Sequence, residues 1–265
     1  MARTIGIDLG ATLAKVAVRG DGALATEHHA SGALEALRRR VAAVTPDRVV
    51  LTGGGAAELA PLLDGVPVDR VDEITAWARG AALVAADEGV VLPARHLLVS
   101  LGTGTSIICV EGDDGVRVGG TALGGGTVLG LGRLLVGTAS FAELTALAAA
   151  GDRRQVDLLV GDVYRTGCEV LPGDLTAASF AKLASTRPAD VAHAVMGLVG
   201  ENVALVAGGL ARAVAVETVV YCGSTLADNP ALAEIVARVT RMLGLDARFL
   251  ARGAYGAAVG AAALV

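Results

Sequence analysis

The chain has 265 residues, 53% of them hydrophobic and 18% charged, with a formal net charge of −5; this excludes a disordered chain, and the three scattered cysteines Cys109, Cys168 and Cys222 exclude a disulfide scaffold. The 36 glycines follow no three-residue period, which excludes collagen. Mean hydropathy is +0.60, yet the longest uncharged runs, 96–110 and 118–132, hold 15 residues each and are rich in Gly, Thr and Ser, short of the roughly 20 apolar residues of a membrane span.

The opening MARTIGIDLG has an acid at position 8 and no apolar leader, and the pI near 5.4 gives no reason to expect nucleic acid. The expected setting is cytoplasmic, away from membranes. Residues 4–29 read as three short strands: Ile5-Gly6-Ile7 before Asp8 and Gly10, then Leu13, Val16 and Val18, then a turn at Gly20-Asp21-Gly22 and a return. A helix is expected over 31–44 with Ser31 as its cap, followed by a buried strand Val49-Val50-Leu51 that runs into Thr52-Gly53-Gly54-Gly55. A second helix spans 72–88, with Ile74, Trp77, Ala81, Ala82 and Ala85 at helical spacing. A break around Pro93 divides the chain into an N-terminal lobe, 1–94, and a C-terminal lobe, 95–265. The second part opens as the first did. A strand at 97–100 leads through a Gly/Thr turn to a hairpin of 107–110 and 116–118, a hint of internal duplication. Helices dominate 124–213, followed by a strand at 217–222, a helix at 230–243, a strand at 247–250 and a closing helix at 253–264. The sum is an α/β protein.

Four segments carry chemistry. In Gly6-Ile7-Asp8-Leu9-Gly10-Ala11-Thr12-Leu13-Ala14-Lys15, a glycine turn lets backbone N–H groups approach a phosphate; Thr12 adds a donor, Lys15 a point charge, and Asp8 an acceptor for hydrated Mg²⁺. Lys15 is one of two lysines, with Lys182, in a chain of 22 basic residues, so its place beside that turn is pointed. Leu101-Gly102-Thr103-Gly104-Thr105-Ser106 offers a second such hairpin. Gly124-Gly125-Gly126-Thr127, preceded by Arg117, opens an apolar helix whose amides suit an anion or a nucleotide sugar. Asp72-Glu73 begins a helix; either the acids complement its dipole, or Glu73 is a general base for phosphoryl transfer to an alcohol. No Gly-Lys pair, and so no Walker A loop, occurs, and no dinucleotide Gly-x-Gly-x-x-Gly follows the first strand. His28, His29, His96 and His193 lack metal-ligand spacing and read as structural; the cysteines read as small hydrophobes.

These residues resemble type II pantothenate kinases nearly end to end. The shared motifs are GIDLGATLAK at 6–15, DEITAWARG at 72–80, SLGTGTSI at 100–107, RVGGTALGGGTVLGLGRLL at 117–135, GDRRQVDLLVGDVY at 151–164, LPGDLTAASF at 171–180, VVYCGSTLADN at 219–229 and GAYGAAVGA at 253–261. The resemblance implies a two-lobed actin-like ATPase fold built from duplicated ribonuclease H-like domains, and a homodimer. It also implies transfer of the γ-phosphoryl group of MgATP to the terminal hydroxyl of pantothenate, the first step towards coenzyme A. Carried over, Glu73 is the catalytic base. Asp8, Gly10, Ala11, Thr12 and Lys15 form the first phosphate motif, with Asp8 at the metal. Gly102, Thr103, Gly104 and Ser106 form the second. Arg117 and Gly119 serve the acceptor, Arg117 also reaching the developing charge. Gly125, Gly126, Thr127, Val128, Leu129, Phe141 and Ser224 contact the nucleotide. Thr176 and Ala177 reach the partner protomer's acceptor site.

Three positions depart from that pattern. Ala11 replaces a usual glycine, which would cost about 1 kcal/mol at positive φ. Arg79 replaces a glutamine and would either lower the base's pKa or pair with a carboxylate. Trp77 is either core packing or an acceptor-pocket wall that changes the acceptor. The alternatives to a pantothenate kinase are a kinase of the same fold with a pantetheine-like or sugar acceptor, and a non-catalytic regulator that holds nucleotide or coenzyme A. Coenzyme A or an acyl thioester is the candidate feedback ligand.

Overall fold

The computed structural model describes residues 2–20, 22–167 and 171–264. Asp21 of the expected first turn and Cys168 lie outside the described residues. β1 (Thr4–Leu9), β2 (Leu13–Gly20) and β3 (Ala23–Ala30) form an antiparallel meander. α1 (Leu34–Val44), β4 (Arg48–Thr52), α2 (Ala56–Leu59) and β5 (Val68–Arg70) follow, and β4 and β5 extend the sheet in parallel in the order β3-β2-β1-β4-β5. α3 (Glu73–Asp87) leads to the second half, where β6 (Arg95–Leu101), β7 (Thr105–Glu111) and β8 (Asp114–Thr121) form another meander. The chain then runs through α4 (Gly125–Leu131), which ends in a π-helical turn, and α5 (Phe141–Ala149). A two-stranded sheet of β9 (Leu158–Leu159) and β10 (Thr176–Ala178) flanks α6 (Val160–Val163). α7 (Pro188–Ala213), β11 (Thr218–Cys222), α8 (Pro230–Met242), β12 (Asp246–Phe249) and α9 (Gly256–Ala263) complete the chain. The second sheet runs β12-β11-β6-β7-β8, with β11 parallel to both β6 and β12. Order and sense repeat the first sheet, so the duplication hinted at by the sequence is present in the fold.

Period-two alternation sorts the two faces of each sheet. Ile5, Ile7 and Leu9 of β1 pack on Leu37 and Val41 of α1. Leu97, Val99 and Leu101 of β6 pack on Val195 and Val199 of α7 and Leu232 of α8. The opposite faces meet α3 and α9, which share one core with Ala17 of the first sheet and Leu98, Ile108 and Val220 of the second. α3 and α9 therefore lie between the sheets. Their backbones cross without intervening side chains: a Cβ on Gly80 would collide with the Gly256 carbonyl, and one on Gly260 with the Ala76 carbonyl.

Some details differ from the sequence reading. α1 begins at Leu34 behind Ala33, because the Ser31 hydroxyl donates to Gly10 O at 2.6 Å instead of capping the helix. On α3, Ala82 faces solvent and Val84 faces the core. α7 is the one helix among the described residues long and apolar enough to cross a membrane, at 26 residues and a hydropathy of 1.6. Uncharged runs do not reveal it because Asp190 and Glu201 interrupt its sequence, yet both acids are buried, Asp190 accepting from Asp152 N and the Ser185 hydroxyl and Glu201 from Arg153 and Thr176 N.

Gly80→Ala should lower stability by about 1–3 kcal/mol through overpacking at the crossing. Gly209→Ala, on α7 with open space around it, should instead raise stability by up to about 1 kcal/mol through helix propensity. Urea midpoints of the two variants check the contrast.

Candidate functional site

A cleft of about 840 Å³ lies between the two meanders, walled on one side by the β1–β2 hairpin and on the other by the β6–β7 hairpin. The first hairpin is set by its own backbone: Gly10 N donates to Leu13 O at 3.2 Å, and Ser31 N donates to Thr12 O at 3.1 Å from the far end of β3. Ala11 does not adopt a positive φ, so its departure from glycine carries no left-handed strain. Asp8, Lys15 and His28 are in register across β1, β2 and β3, and all three line the cleft. Lys15 Nζ lies 3.4 Å from Asp8 Oδ2. Burial raises the Asp8 pKa above the ordinary carboxylate value, and Lys15 opposes the rise. Thr52 sits on the other side of Asp8 in the same register, its hydroxyl buried without a partner.

The second hairpin closes by Gly102 N donating to Gly104 O at 2.8 Å, and its tip meets the first, with the Thr12 and Thr103 hydroxyls 2.9 Å apart. The glycine block of α4 has a different purpose from the one its sequence implies. Gly125 N and Gly126 N donate to Gly102 O and Thr103 O, at 2.8 and 2.9 Å, so these amides hold the second hairpin and are spent before any anion arrives. A Cβ on Gly124 would come within 2.7 Å of Thr103 O. Gly125, Gly126, Leu129, Phe141 and Ser224 line the cleft as expected. Thr127 and Val128 do not. The Thr127 hydroxyl donates to Ala122 O at 3.2 Å, and Val128 is wholly buried in the core, on the opposite side of α4.

Asp72 and Glu73 divide the two roles left open by the sequence. Asp72 is the N-cap of α3, accepting from Ile74 N and Thr75 N at 2.9 and 3.0 Å. Glu73 takes no part in the cap; it lines the cleft, where its carboxylate accepts a hydrogen bond from the Trp77 indole. Desolvation by the cleft walls, and next the Asp8 carboxylate, raise its pKa above the ordinary glutamate value. Trp77, one turn on, is 4% exposed and lines the cleft, its ring packed on Gly256. Core packing therefore holds for Trp77, and its ring also forms part of the cleft wall. Arg79 pairs with Asp113 at 3.4 Å on the surface and is not among the groups that shift Glu73.

Arg117 is exposed and stands behind the wall, its Nε donating to Ser106 Oγ at 3.3 Å. A register shift between Ile107 and Ile108 leaves Val118 as the extra residue of a β-bulge and pairs Arg117 with Ile108. Arg117 takes its face, that of Ser106 and α3, from the register set at the turn; the bulge turns Gly119, which would otherwise share that face, opposite Ile107 and towards α7. Gly119 faces Leu210 of α7, not the cleft. Thr176 and Ala177 lie on β10, outside this chain's cleft. The Thr176 hydroxyl accepts from Arg153 Nη1 at 2.5 Å and its N–H donates to Glu201 Oε2 at 3.1 Å.

His28, read from sequence as structural, lines the cleft with its Nδ1 3.2 Å from the Tyr255 hydroxyl. His96 and His193 bond backbone carbonyls of Pro93 and Gly151 at 2.9 and 2.7 Å, and His29 lies beside Glu27. Sequence reading also missed Ser100, Thr105, Thr225, Asp228 and Tyr255 as wall residues. Ser100 was recoverable as the last strand residue facing the same way as Leu98; the others carry no local signature. Among the described residues no three His, Cys, Asp or Glu side chains gather at one point. The donor set therefore fits a hard cation held by one carboxylate, Asp8, and otherwise by phosphate oxygens and water, not a protein cage.

The Fumble family model matches residues 25–264. A type II pantothenate kinase of Oceanobacillus iheyensis is 33% identical over 263 residues, 98% of each chain, and one of Staphylococcus aureus is 32% identical over 262 residues, 97% of each chain. Among solved structures, a ROK family glucokinase from Streptomyces griseus in complex with glucose and AMPPNP aligns with a TM-score of 0.65 at 16% identity, over 99% of both chains. The activator of 2-hydroxyisocaproyl-CoA dehydratase from Clostridium difficile, with bound ADPNP, also gives 0.65 at 16% identity, covering 98% of this chain and 92% of its own. These likenesses are of fold, and the duplicated sheets are those of the actin-like ATPases. On its sequence and its two repeated sheets, the chain belongs to the Fumble family, the type II pantothenate kinases.

Proposed function

We propose that the protein is an ATP-dependent kinase that transfers the γ-phosphoryl group to the terminal hydroxyl of pantothenate. The observation that carries this reading is the carboxylate of Glu73, held by the Trp77 indole, standing with Asp8, Lys15 and both Gly/Thr hairpins on one cleft. Family membership supplies the acceptor. Glu73 orients the acceptor hydroxyl and takes its proton as the oxygen bonds to the γ-phosphorus and the bond from phosphorus to the ADP oxygen breaks. Lys15 offsets charge on the transferring group, and Arg117, bonded to Ser106, approaches from that side. Mg²⁺, when bound with the nucleotide, supplies neutralisation of the phosphate oxygens, and Asp8 is the residue that would hold it.

On this reading residues 1–94 and 95–265 act as two lobes closing on the nucleotide, with α9 of the second packed on β1 of the first. The protein works in the cytoplasm as a homodimer. Thr176 and Ala177, held on β10 by Arg153 and Glu201, are presented to the partner's acceptor site. Coenzyme A or an acyl thioester is the candidate feedback ligand.

Steady-state ADP release with pantothenate, pantetheine and hexosamines, with and without acetyl-coenzyme A, tests the acceptor. Turnover should be greatest with pantothenate; turnover confined to a hexosamine would contradict the reading. Trp77 on the cleft wall makes pantetheine the informative competitor. Glu73→Gln should lower kcat by roughly 10² to 10⁴ while calorimetric ATP affinity is retained; near-normal turnover would remove Glu73 from the base role. Because a base works ionised and the Glu73 pKa is raised, activity should fall on acidification at a higher pH than an ordinary glutamate would give. The acid limb of the kcat/KM profile measures this, and Asp8→Asn, which removes the nearby like charge, should move it down.

A further inference from the structure

The cleft read here as a nucleotide site is polarised in charge. Lys15 is the only lysine or arginine among the described residues lining it, and it stands beside Asp8 at the hairpins. The wall beyond α4 carries Phe141, Thr145, Ser224 and Ala227, and with them one carboxylate, Asp228. Asp228 has φ of +51°, one of five non-glycine residues in the left-handed region among the described residues and the only one of the five on the cleft wall.

Its neighbours impose that conformation. Thr225 N donates to Leu101 O at 3.1 Å, and the Thr225 hydroxyl donates to Gly102 O at 2.8 Å, fixing one side of the turn. Asn229, 1% exposed, fixes the other: its Oδ1 accepts from Leu232 N at 3.2 Å as the cap of α8, and its Nδ2 donates to Thr225 O at 3.1 Å. Between these anchors the Asp228 carboxylate makes no hydrogen bond or ion pair with any described residue. Strain held by a pinned turn, at a wall residue with an unused functional group, marks a functional position.

We propose that Asp228 determines nucleotide specificity by accepting hydrogen bonds from the vicinal hydroxyls of the ribose. This rests on the nucleotide reading of the cleft. A carboxylate only accepts, so it can pair only with donors, and phosphates offer none. Its charge also repels the phosphates towards Lys15, which orients the nucleotide with its nucleoside at this end. Two carboxylate oxygens match two adjacent hydroxyls, whereas a base amine would use one of them.

The test compares kcat/KM and calorimetric Kd for ATP, 2′-deoxy-ATP and inosine triphosphate in the full chain and in two variants. Asp228→Gly removes the carboxylate while keeping positive φ accessible, so the turn survives. Asp228→Asn keeps one acceptor oxygen and also tolerates this φ. The wild type should prefer ATP over 2′-deoxy-ATP about tenfold, the scale of one charge-assisted hydrogen bond. Asp228→Gly should bring that ratio to about one and leave the ratio of ATP to inosine triphosphate unchanged, with Asp228→Asn between. A wild type indifferent to the 2′-hydroxyl, or discrimination that survives in Asp228→Gly, overturns the proposal. So does loss of the ATP to inosine triphosphate preference in its place, which would assign Asp228 to the base. If no nucleotide binds, the nucleotide reading itself falls; if nucleotides bind without turnover of pantothenate, only the acceptor falls and the Kd ratios still decide on Asp228.

Discussion

Where α3 crosses α9 nothing but backbone separates the two helices. Gly80 admits the Gly256 carbonyl, Gly260 admits that of Ala76, and Gly6 of β1 admits α9 from the other side. This contact holds the two sheets at one separation. It also sets where α3 begins, and therefore where Glu73 stands relative to Asp8 and Lys15. The same crossing seats the Trp77 ring on Gly256 and brings Tyr255 to His28. The end of the cleft that holds Asp8, Lys15 and Glu73 is thus assembled from the first sheet, α3 and the approach to α9, and a side chain at the crossing would displace all three.

The second determinant is electrostatic. Asp8, Lys15 and Glu73 share a partly desolvated space in which burial discourages both acids from ionising, Asp8 adds to that effect on Glu73, and the lysine restrains it for both. On the proposed reading, that arrangement leaves a basic carboxylate for the acceptor hydroxyl and a cation for the phosphates. The hairpin tips add hydroxyls and amides on both sides. The glycines of α4 contribute indirectly: their amides are committed to Gly102 and Thr103, which makes the second hairpin rigid before substrate binds.

Much of this was legible in the sequence because it rests on local rules. Period-two apolar runs located the strands, the Gly/Thr turns located both hairpins, and the repeated layout anticipated the duplicated sheets. The pair Asp72-Glu73 was legible as acids opening a helix, but that Asp72 caps it and Glu73 turns to the cleft needed the structure. What was not legible depends on long-range contact. Ser31 looks like a cap and is a hairpin brace. The amides at Gly125 and Gly126 look free and are not. The bulge at Val118, which sends Gly119 to the face opposite Arg117, has no local signal in a run of glycines and valines. Asp228 takes its conformation from anchors on β6 and α8, and His28 reaches the cleft only because β3 pairs with β2 in a register that sets it beside Lys15.

The central claim is that Glu73 directs a single in-line transfer between the two hairpins to the hydroxyl of pantothenate. The stereochemistry at phosphorus tests this most directly, using ATP made isotopically chiral at a γ-thiophosphoryl group and analysis of the thiophosphorylated product. The account predicts phosphorylated pantothenate with inverted configuration. Retention, which requires two displacements through a phosphorylated enzyme, or the absence of any product from pantothenate, would contradict it.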